Sequence, residues 1–427
     1  MLRSQSLMTP SKTDSISYSL YLQGDHASHE QLTHEALEQH IDFYYLRIRA
    51  GLLDYGAKKY FLARKHLERA LFYYPADTMA QEYLFYTYLY LGRNQDAEEL
   101  YTKFSPEMRR KLEAYRPLNN AAYIEAGYFT SNAASVVPVN EIHGKPPVIY
   151  SEADHSKNIQ YYQLGLNTNY TKKTSLYFGF TYLNLSKEKV AYWGPRDTAS
   201  DYHYHQFEYY LGLNHNMKND WQFQAAFHYL DYKSTVMYSK NDTAAKTFKF
   251  YNTDVKQNNV VLNAGLSKEI RGFLKPALDL SYSSLNKTNI LQLSGRITYY
   301  LTGNKHLYGM TGYAMGFDTS GSRWVFMQKI GGRLAPKLWL ECYGYFGNLT
   351  NFNDANAFLV YNVSDKITGK YGASLSILAT HHLDISMRYD FIMREGSYEQ
   401  ISKPNSIRTV NYNYNNQAVI GSIRWKF

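Results

Sequence analysis

Apolar and polar residues alternate along most of the chain after residue 120. The last segment shows the pattern most clearly. One of its faces contains Phe427, Trp425, Ile423, Gly421 and Val419, and the other contains Lys426, Arg424, Ser422 and Ile420. A period of two with aromatic residues at one end predicts a β-strand that turns one face to lipid and the other to a polar lumen.

The same alternation recurs often enough to suggest a closed sheet. About fourteen segments show it: 121–129, 158–170, 175–187, 201–217, 221–234, 254–268, 274–284, 288–300, 307–317, 323–335, 337–347, 367–378, 383–394 and 411–427. Short connections at 171–174, 218–220, 269–273, 301–306, 336 and 379–382 follow every second segment. Longer ones fall at 130–157, 188–200, 235–253, 348–366 and 395–410. An even count with short turns opposite long loops predicts an antiparallel transmembrane β-barrel.

A helical pattern replaces the strand pattern before Pro117. Gly51, Ala63, Leu67, Ala70 and Pro75 are spaced as small and large contacts between two antiparallel helices, with a proline after the second. We predict a polar, mobile lead with a possible partial helical repeat over 1–43, a helical domain over 44–117, and the barrel over 118–427. The predicted fold class is therefore α+β and multidomain.

Each half resembles a known class of protein. Ala97 and Tyr101 follow Ala63 and Leu67 after 34 residues, a period that resembles the tetratricopeptide repeat. Gly51, Ala63, Ala70 and Ala97 are then the repeat-packing positions. The final strand resembles those of outer-membrane barrels of Gram-negative bacteria. That resemblance implies that Trp425 and Phe427 form a signal for the barrel assembly machinery.

Composition is consistent with a barrel and not with membrane helices. Tyr, Phe and Trp number 44, 21 and 5, and such aromatics suit both an interface belt and a wet lumen wall. Mean hydropathy is −0.49, and the apolar run at 83–91 is about half of the roughly 20 residues that a membrane helix needs. Residues 1–23 contain no secretory signal, so we expect that the export signal was removed or that the start codon is misplaced.

Charged residues on the strands are expected to point into the lumen, because a charge on the lipid face costs roughly 2–4 kcal/mol at mid-bilayer. These lumen-facing candidates are Arg296, Arg388, Asp390, Asp279, Glu341 and Glu208. Both signs occur, and two interpretations stay open. The lumen is either filled and closed by salt bridges, or it is a charged conduit.

No pattern predicts catalysis, a cofactor or a metal. His203 and His205 share a strand face without an evident third ligand, which favours a polar pair at the interface. Ser386 and His382 are the kind of pair that chance supplies. The net charge of +9 suits a surface rich in lipopolysaccharide phosphates. We expect no nucleic-acid partner, because nucleic-acid-binding motifs are missing.

The combination of helical repeats and a C-terminal barrel resembles two groups of outer-membrane proteins. One group is the exopolysaccharide-secretion barrels, and the other is the surface-lipoprotein assembly modulators. The resemblance implies export or assembly of a macromolecule, with the repeats in the periplasm binding a protein partner. The alternative is a non-conducting surface protein whose outer loops bind a ligand. We expect that the chain is not an enzyme.

Overall fold

The computed structural model describes residues 8–136, 150–193, 196–242, 247–270, 272–302, 304–319, 321–403 and 406–427. It divides into two compact units, one of residues 1–119 with 269–275 and 298–308, and one of 120–268, 276–297 and 309–427. Seven α-helices lie in the described residues before Asn119, and the barrel strands follow it. Among the described residues, no helix is both long and apolar enough to cross a membrane.

The described helices of the first unit follow one another along the chain through short connections. They are α1 (Pro10–Gln23), α2 (His26–Glu38), α3 (Tyr44–Gly56), α4 (Tyr60–Tyr73), α5 (Thr78–Tyr90), α6 (Asn94–Tyr101) and α7 (Pro106–Leu112). Several begin at good capping residues. Asp77, for example, accepts a hydrogen bond from the backbone N–H of Ala80, which satisfies a group that the first helical turn leaves unpaired.

The polar lead predicted over 1–43 contains two helices, α1 and α2, where the sequence indicated at most a partial helical repeat. Thr9 caps this helix, Pro10 occupies its first turn, and Gly24 ends it in the left-handed conformation. Apolar periodicity misses α1 because its buried face is polar. Ser17 lies 2.9 Å from Nε2 of the buried His29 on α2.

Small residues allow the helices of this unit to approach closely. Ala63, Ala70 and Ala97 are fully buried. A Cβ added at Gly51 would lie 2.8 Å from side-chain atoms of Leu67. The repeat-packing candidates therefore lie at helix contacts, where added volume has no space to enter.

The described part of the second unit contains fourteen barrel strands. They are β1 (Ala121–Ser131), β2 (Tyr150–Asn169), β3 (Thr174–Trp193), β4 (Arg196–Asn216), β5 (Trp221–Asp242), β6 (Thr247–Lys268), β7 (Leu274–Leu285), β8 (Thr288–Tyr300), β9 (Leu307–Asp318), β10 (Gly321–Ala335), β11 (Leu338–Gly347), β14 (Lys366–Leu378), β15 (Leu383–Lys403) and β16 (Ser406–Lys426). A short helix, α8 (Ala133–Val136), follows β1, and two short strands, β12 (Asn353–Asp354) and β13 (Leu359–Val360), lie between β11 and β14.

The sheet closes because β1 pairs antiparallel with both β2 and β16. The fourteen-strand prediction is thus confirmed. Three predicted long loops are instead extensions of paired strands. The described parts of these loops, 188–193 with 196–200, 235–242 with 247–253, and 395–403 with 406–410, continue the hairpins β3–β4, β5–β6 and β15–β16. The strands stay paired beyond their alternating apolar segments because backbone hydrogen bonds do not require apolar side chains.

The outer face of the barrel is apolar. On β7, Leu278, Leu280 and Tyr282 are 65, 50 and 49% exposed, and Ile423 on β16 is 53% exposed. Water would oppose the exposure of such a continuous apolar surface, whereas lipid would not. A closed antiparallel barrel with this surface is of the outer-membrane type.

Candidate functional site in the barrel lumen

The connection between β11 and β14, residues 348–365, folds into the lumen. We call it the lumen segment. Residues 348–366 were predicted only as a long loop between strands, and the inward fold of this segment was not predicted. Its short strands β12 (Asn353–Asp354) and β13 (Leu359–Val360) pair as a small hairpin, and this hairpin contacts strands on several sides of the barrel.

Backbone groups of the lumen segment bind to the wall at β8. The N–H of Asn353 donates to Oε1 of Gln292 over 3.0 Å, and Nε2 of Gln292 donates to the Asn353 carbonyl over 2.8 Å. One amide side chain thus satisfies both the N–H and the carbonyl of one residue.

The tip of the segment reaches β4 and β5 as well. Nδ1 of His228 donates to the Ala357 carbonyl over 2.7 Å, and the Tyr210 hydroxyl donates to the Asn356 carbonyl over 3.2 Å. Ala355, Asn356 and Ala357 all have positive φ. Because this region costs non-glycine residues energy, the wall contacts must hold the tip in place.

The base of the segment is anchored by apolar packing and by a buried charge cluster. Leu349, Phe352 and Tyr361 are buried among side chains of the wall. Nζ of Lys370 lies 3.3 Å from both the Tyr361 hydroxyl and Oδ2 of Asp390. Release of this anchor would expose the apolar side chains to water and separate Lys370 from Asp390, and both changes cost free energy.

All six lumen-facing candidates lie on the inner face and have polar partners. Arg296 lies 3.0 Å from Asp279 on the neighbouring strand. Arg388 lies 3.1 Å from Glu125 and 3.5 Å from Asp390. The remaining two are Glu341, which is 2.9 Å from Lys329, and Glu208, whose Oε2 is 3.4 Å from Nε2 of His228.

Of these six, Arg296 also binds the lumen segment, because its guanidinium donates to Oδ1 of Asn356 over 2.9 Å. Sequence reasoning identified the charged groups but not Gln292, His228 and Lys370, which hold the segment. Their position on the inner strand face was the available signal, but nothing in the sequence marked residues 348–365 as their partner.

A second cluster of ionisable groups lies inside the helical unit. Asp54 on α3 is buried, 2.9 Å from Nε2 of His26 and 3.8 Å from Nε2 of His66. Burial raises the pKa of Asp54 to about 6, against the opposing effect of the hydrogen bond from His26. Burial also lowers the pKa of His66 to about 4, and Arg47, 3.1 Å from its Nδ1, lowers it further.

His29 lies beside this cluster and is also kept uncharged. Burial lowers its pKa to about 4, with a smaller contribution from Arg49. The groups do not form a metal site: within the described ranges, no set of three or more His, Cys, Asp or Glu side chains has metal-binding geometry.

The weaker candidates of the sequence lie elsewhere. The rings of His203 and His205 stack at 6.5 Å on the exposed face of β4, where His205 contacts the Tyr182 hydroxyl. Ser386 bonds to Ser422 at 2.6 Å, and His382 bonds to the Lys426 carbonyl. These two residues have separate partners and do not form a pair.

The residues of the predicted assembly signal lie on the outer face of the closing strand. Trp425 and Phe427 are each 52% exposed. The Trp425 ring stacks on His382 with centroids 5.5 Å apart. The backbone of Phe427 exchanges two hydrogen bonds with Asn120, next to the first strand. Both residues therefore lie at the seam where the barrel closes.

Comparisons with known proteins find similar solved structures but no family. No protein-family model and no curated protein matches the chain. Among solved structures, it is similar to the toluene transporter TodX of P. putida, with 7% identity, a TM-score of 0.48, and coverage of 74% of this chain and 91% of that one.

A FadL homologue of Pseudomonas aeruginosa has 9% identity and a TM-score of 0.47, covering 74% and 93% of the two chains. A bacterial polysaccharide outer membrane secretin has 8% identity and a TM-score of 0.37, covering 73% and 99%. These similarities are too distant to bear on function. The fold stands on the closed strand order itself.

Proposed function

We propose that the chain resides in the outer membrane and exports or assembles a macromolecule there, either a polysaccharide or a surface lipoprotein. The apolar exterior supports the location, because lipid is the surrounding that such a surface requires. In this proposal the helical unit lies in the periplasm as an adaptor for a protein partner, and lipopolysaccharide surrounds the outer rim.

The observation that carries the proposal is the lumen segment. His228, Tyr210 and Arg296 donate hydrogen bonds to its tip, and Gln292 binds the backbone of the nearby Asn353. A neutral hydrogen bond is worth only about 1 kcal/mol net, and one from a charged group such as Arg296 about 1.5–3 kcal/mol. The tip can therefore leave the wall while the buried base at Tyr361 stays in place. A polymer or chain that displaced the tip would open the lumen.

A second candidate function is a non-conducting surface protein. The filled lumen favours it, because the segment and the ion pairs described above close the interior. The long hairpins β3–β4, β5–β6 and β15–β16 would then present the binding surface. The two candidates differ in whether the tip of the segment moves.

Single-channel conductance in planar bilayers tests this difference. The variant Gln292→Ala/His228→Ala removes three hydrogen bonds to the lumen segment and should show frequent open events, whereas the wild type stays mostly closed. Gln417→Ala removes a polar group from the outer face, where Gln417 accepts a hydrogen bond from Tyr389, and is the matched control. A loosened variant that remains closed, and that secretes nothing in cells, would favour the surface-binding function.

A further inference from the structure

A cavity of about 440 Å³ lies in the lumen beside the tip of the segment. Its lining comes from β1, β2, β3, β4, β5 and β16 and from residues 355–358 of the lumen segment. This volume lies in the range of about 300–1,000 Å³ that is typical of small-molecule sites. None of the ion pairs described above fills it.

Aromatic rings form one wall of the cavity. Tyr177 is central, with Tyr123 stacked at 5.6 Å and Phe358 edge-on at 5.2 Å. Tyr210 contacts both Tyr177 and Phe358. Ring faces of this kind pack against flat or ring-shaped ligands. The wall includes Phe358 of the lumen segment, so a ligand bound here would also contact the tip.

The polar lining includes one buried donor that lacks a partner among the described residues. The hydroxyl of Tyr123 is buried without a hydrogen bond. Asn167, Asn214 and Gln224 also line the cavity. A buried hydroxyl without a partner costs roughly 1–3 kcal/mol.

Arg424 provides a positive charge at the same cavity. It is exposed to the lumen and has no ion pair within the described part of the chain. The carboxylate nearest in strand register is Asp384, directly opposite on β15, but Asp384 binds Nζ of Lys426 at 2.8 Å. Glu125, two residues from Tyr123, binds Arg388. The Arg424 guanidinium is therefore available to an anion, and its planar geometry suits a carboxylate.

We propose that this cavity binds a ring compound that carries a carboxylate, with the ring against Tyr177 and the carboxylate on Arg424. Two sources share this chemistry: a sugar acid, free or as a unit of an acidic polysaccharide, and an aromatic acid. The proposal concerns binding alone. A negative binding result would not affect the export proposal, which is tested separately by conductance and secretion.

Isothermal titration calorimetry on the full chain in detergent micelles tests the proposal. The probes are galacturonate and benzoate, each compared with its neutral counterpart, galactose and benzyl alcohol. At least one acid should bind more tightly than its counterpart by about tenfold, as expected for a charge-assisted hydrogen bond. The acid that binds identifies the source of the ligand.

Two variants separate the parts of the site. Arg424→Gln should abolish the preference for the acid, and Tyr177→Leu should weaken binding of the acid whichever source it represents. The matched controls are Arg333→Gln, an arginine that binds the Ala335 and Pro336 carbonyls, and Tyr182→Leu, on the outer face of the same strand as Tyr177. Both should bind as the wild type does.

Heat-modifiable migration on a gel verifies that each variant is a folded barrel, so that a loss of binding reports on the site. Equal binding of acid and neutral probe, an unchanged preference in folded Arg424→Gln, or no binding of either acid would each overturn the proposal.

Discussion

Acidification should destabilise the helical unit, because two of its histidines are buried in the uncharged state. The pKa of His29 and of His66 falls from 6.5 to about 4 in the folded chain. Their contribution to stability is complete above pH 6.5 and is lost as the pH falls toward 4, because the unfolded chain then binds protons that the folded chain excludes.

Asp54 acts in the opposite direction. Its pKa rises from 3.8 to about 6 on folding, so its contribution to stability is present at low pH and is lost as the pH rises through 6. At about 1.4 kcal/mol per pKa unit, a change from about pH 8 to pH 5 lowers the free energy of unfolding by about 2 kcal/mol for each histidine. Over the same change, Asp54 raises the free energy of unfolding by about 1 kcal/mol. The net decrease is therefore about 3 kcal/mol.

The assay is urea unfolding of the full chain in detergent micelles at about pH 8 and pH 5, followed by loss of the far-ultraviolet helix signal. The double variant His29→Gln/His66→Gln keeps polar side chains at both positions but removes both titrations. Asp54 then dominates, so the variant should be more stable at the lower pH, which reverses the sign of the dependence.

His34→Gln is the matched control, because the His34 side chain is 73% exposed and pairs only with Glu38 on the same helix. It should keep the pH dependence of the wild type. Wild-type helices that are equally stable at both pH values, or a double variant that is still weakened by acid, would refute the assignment of the effect to His29 and His66.

Three further predictions concern assembly and packing. Deletion of Phe427, or Trp425→Lys, should leave unassembled protein in the periplasm, because the closing strand loses its exposed aromatic residues at the seam; fractionation with normal heat-modifiable migration of both variants would show that these residues are incidental. Ala97→Trp should destabilise the fully buried contact around it by roughly 1–3 kcal/mol or more, measured by urea unfolding, while the barrel still inserts. If the helices recruit the partner, secretion should fail in cells carrying that inserted variant, and full activity with disrupted helices would remove the adaptor from the mechanism. The wild-type chain should fractionate with the outer membrane, and recovery as a soluble monomer without detergent would contradict the barrel of outer-membrane type.

The alternation of apolar and polar residues was sufficient to predict the barrel. Lipid on one side and water on the other impose a period of two on every spanning strand, and each strand carries that signal independently. The positions of Leu278, Leu280 and Tyr282 illustrate this, since all three face outward as the pattern requires. The same constraint placed Arg296, Arg388 and Asp279 on the inner face.

The sequence alone could not determine what the polar segments do. A segment rich in Asn and Asp suits an outer loop in water as well as a wet lumen, so residues 348–365 gave no sign that they fold inward. Their placement depends on partners distant in sequence, such as Gln292 and His228, and only the closed barrel brings these together. Likewise, α1 was missed because its buried contact, Ser17 with His29, is polar. Apolar periodicity reports where water is excluded by apolar groups, whereas polar contacts in a folded interior are decided by the tertiary structure.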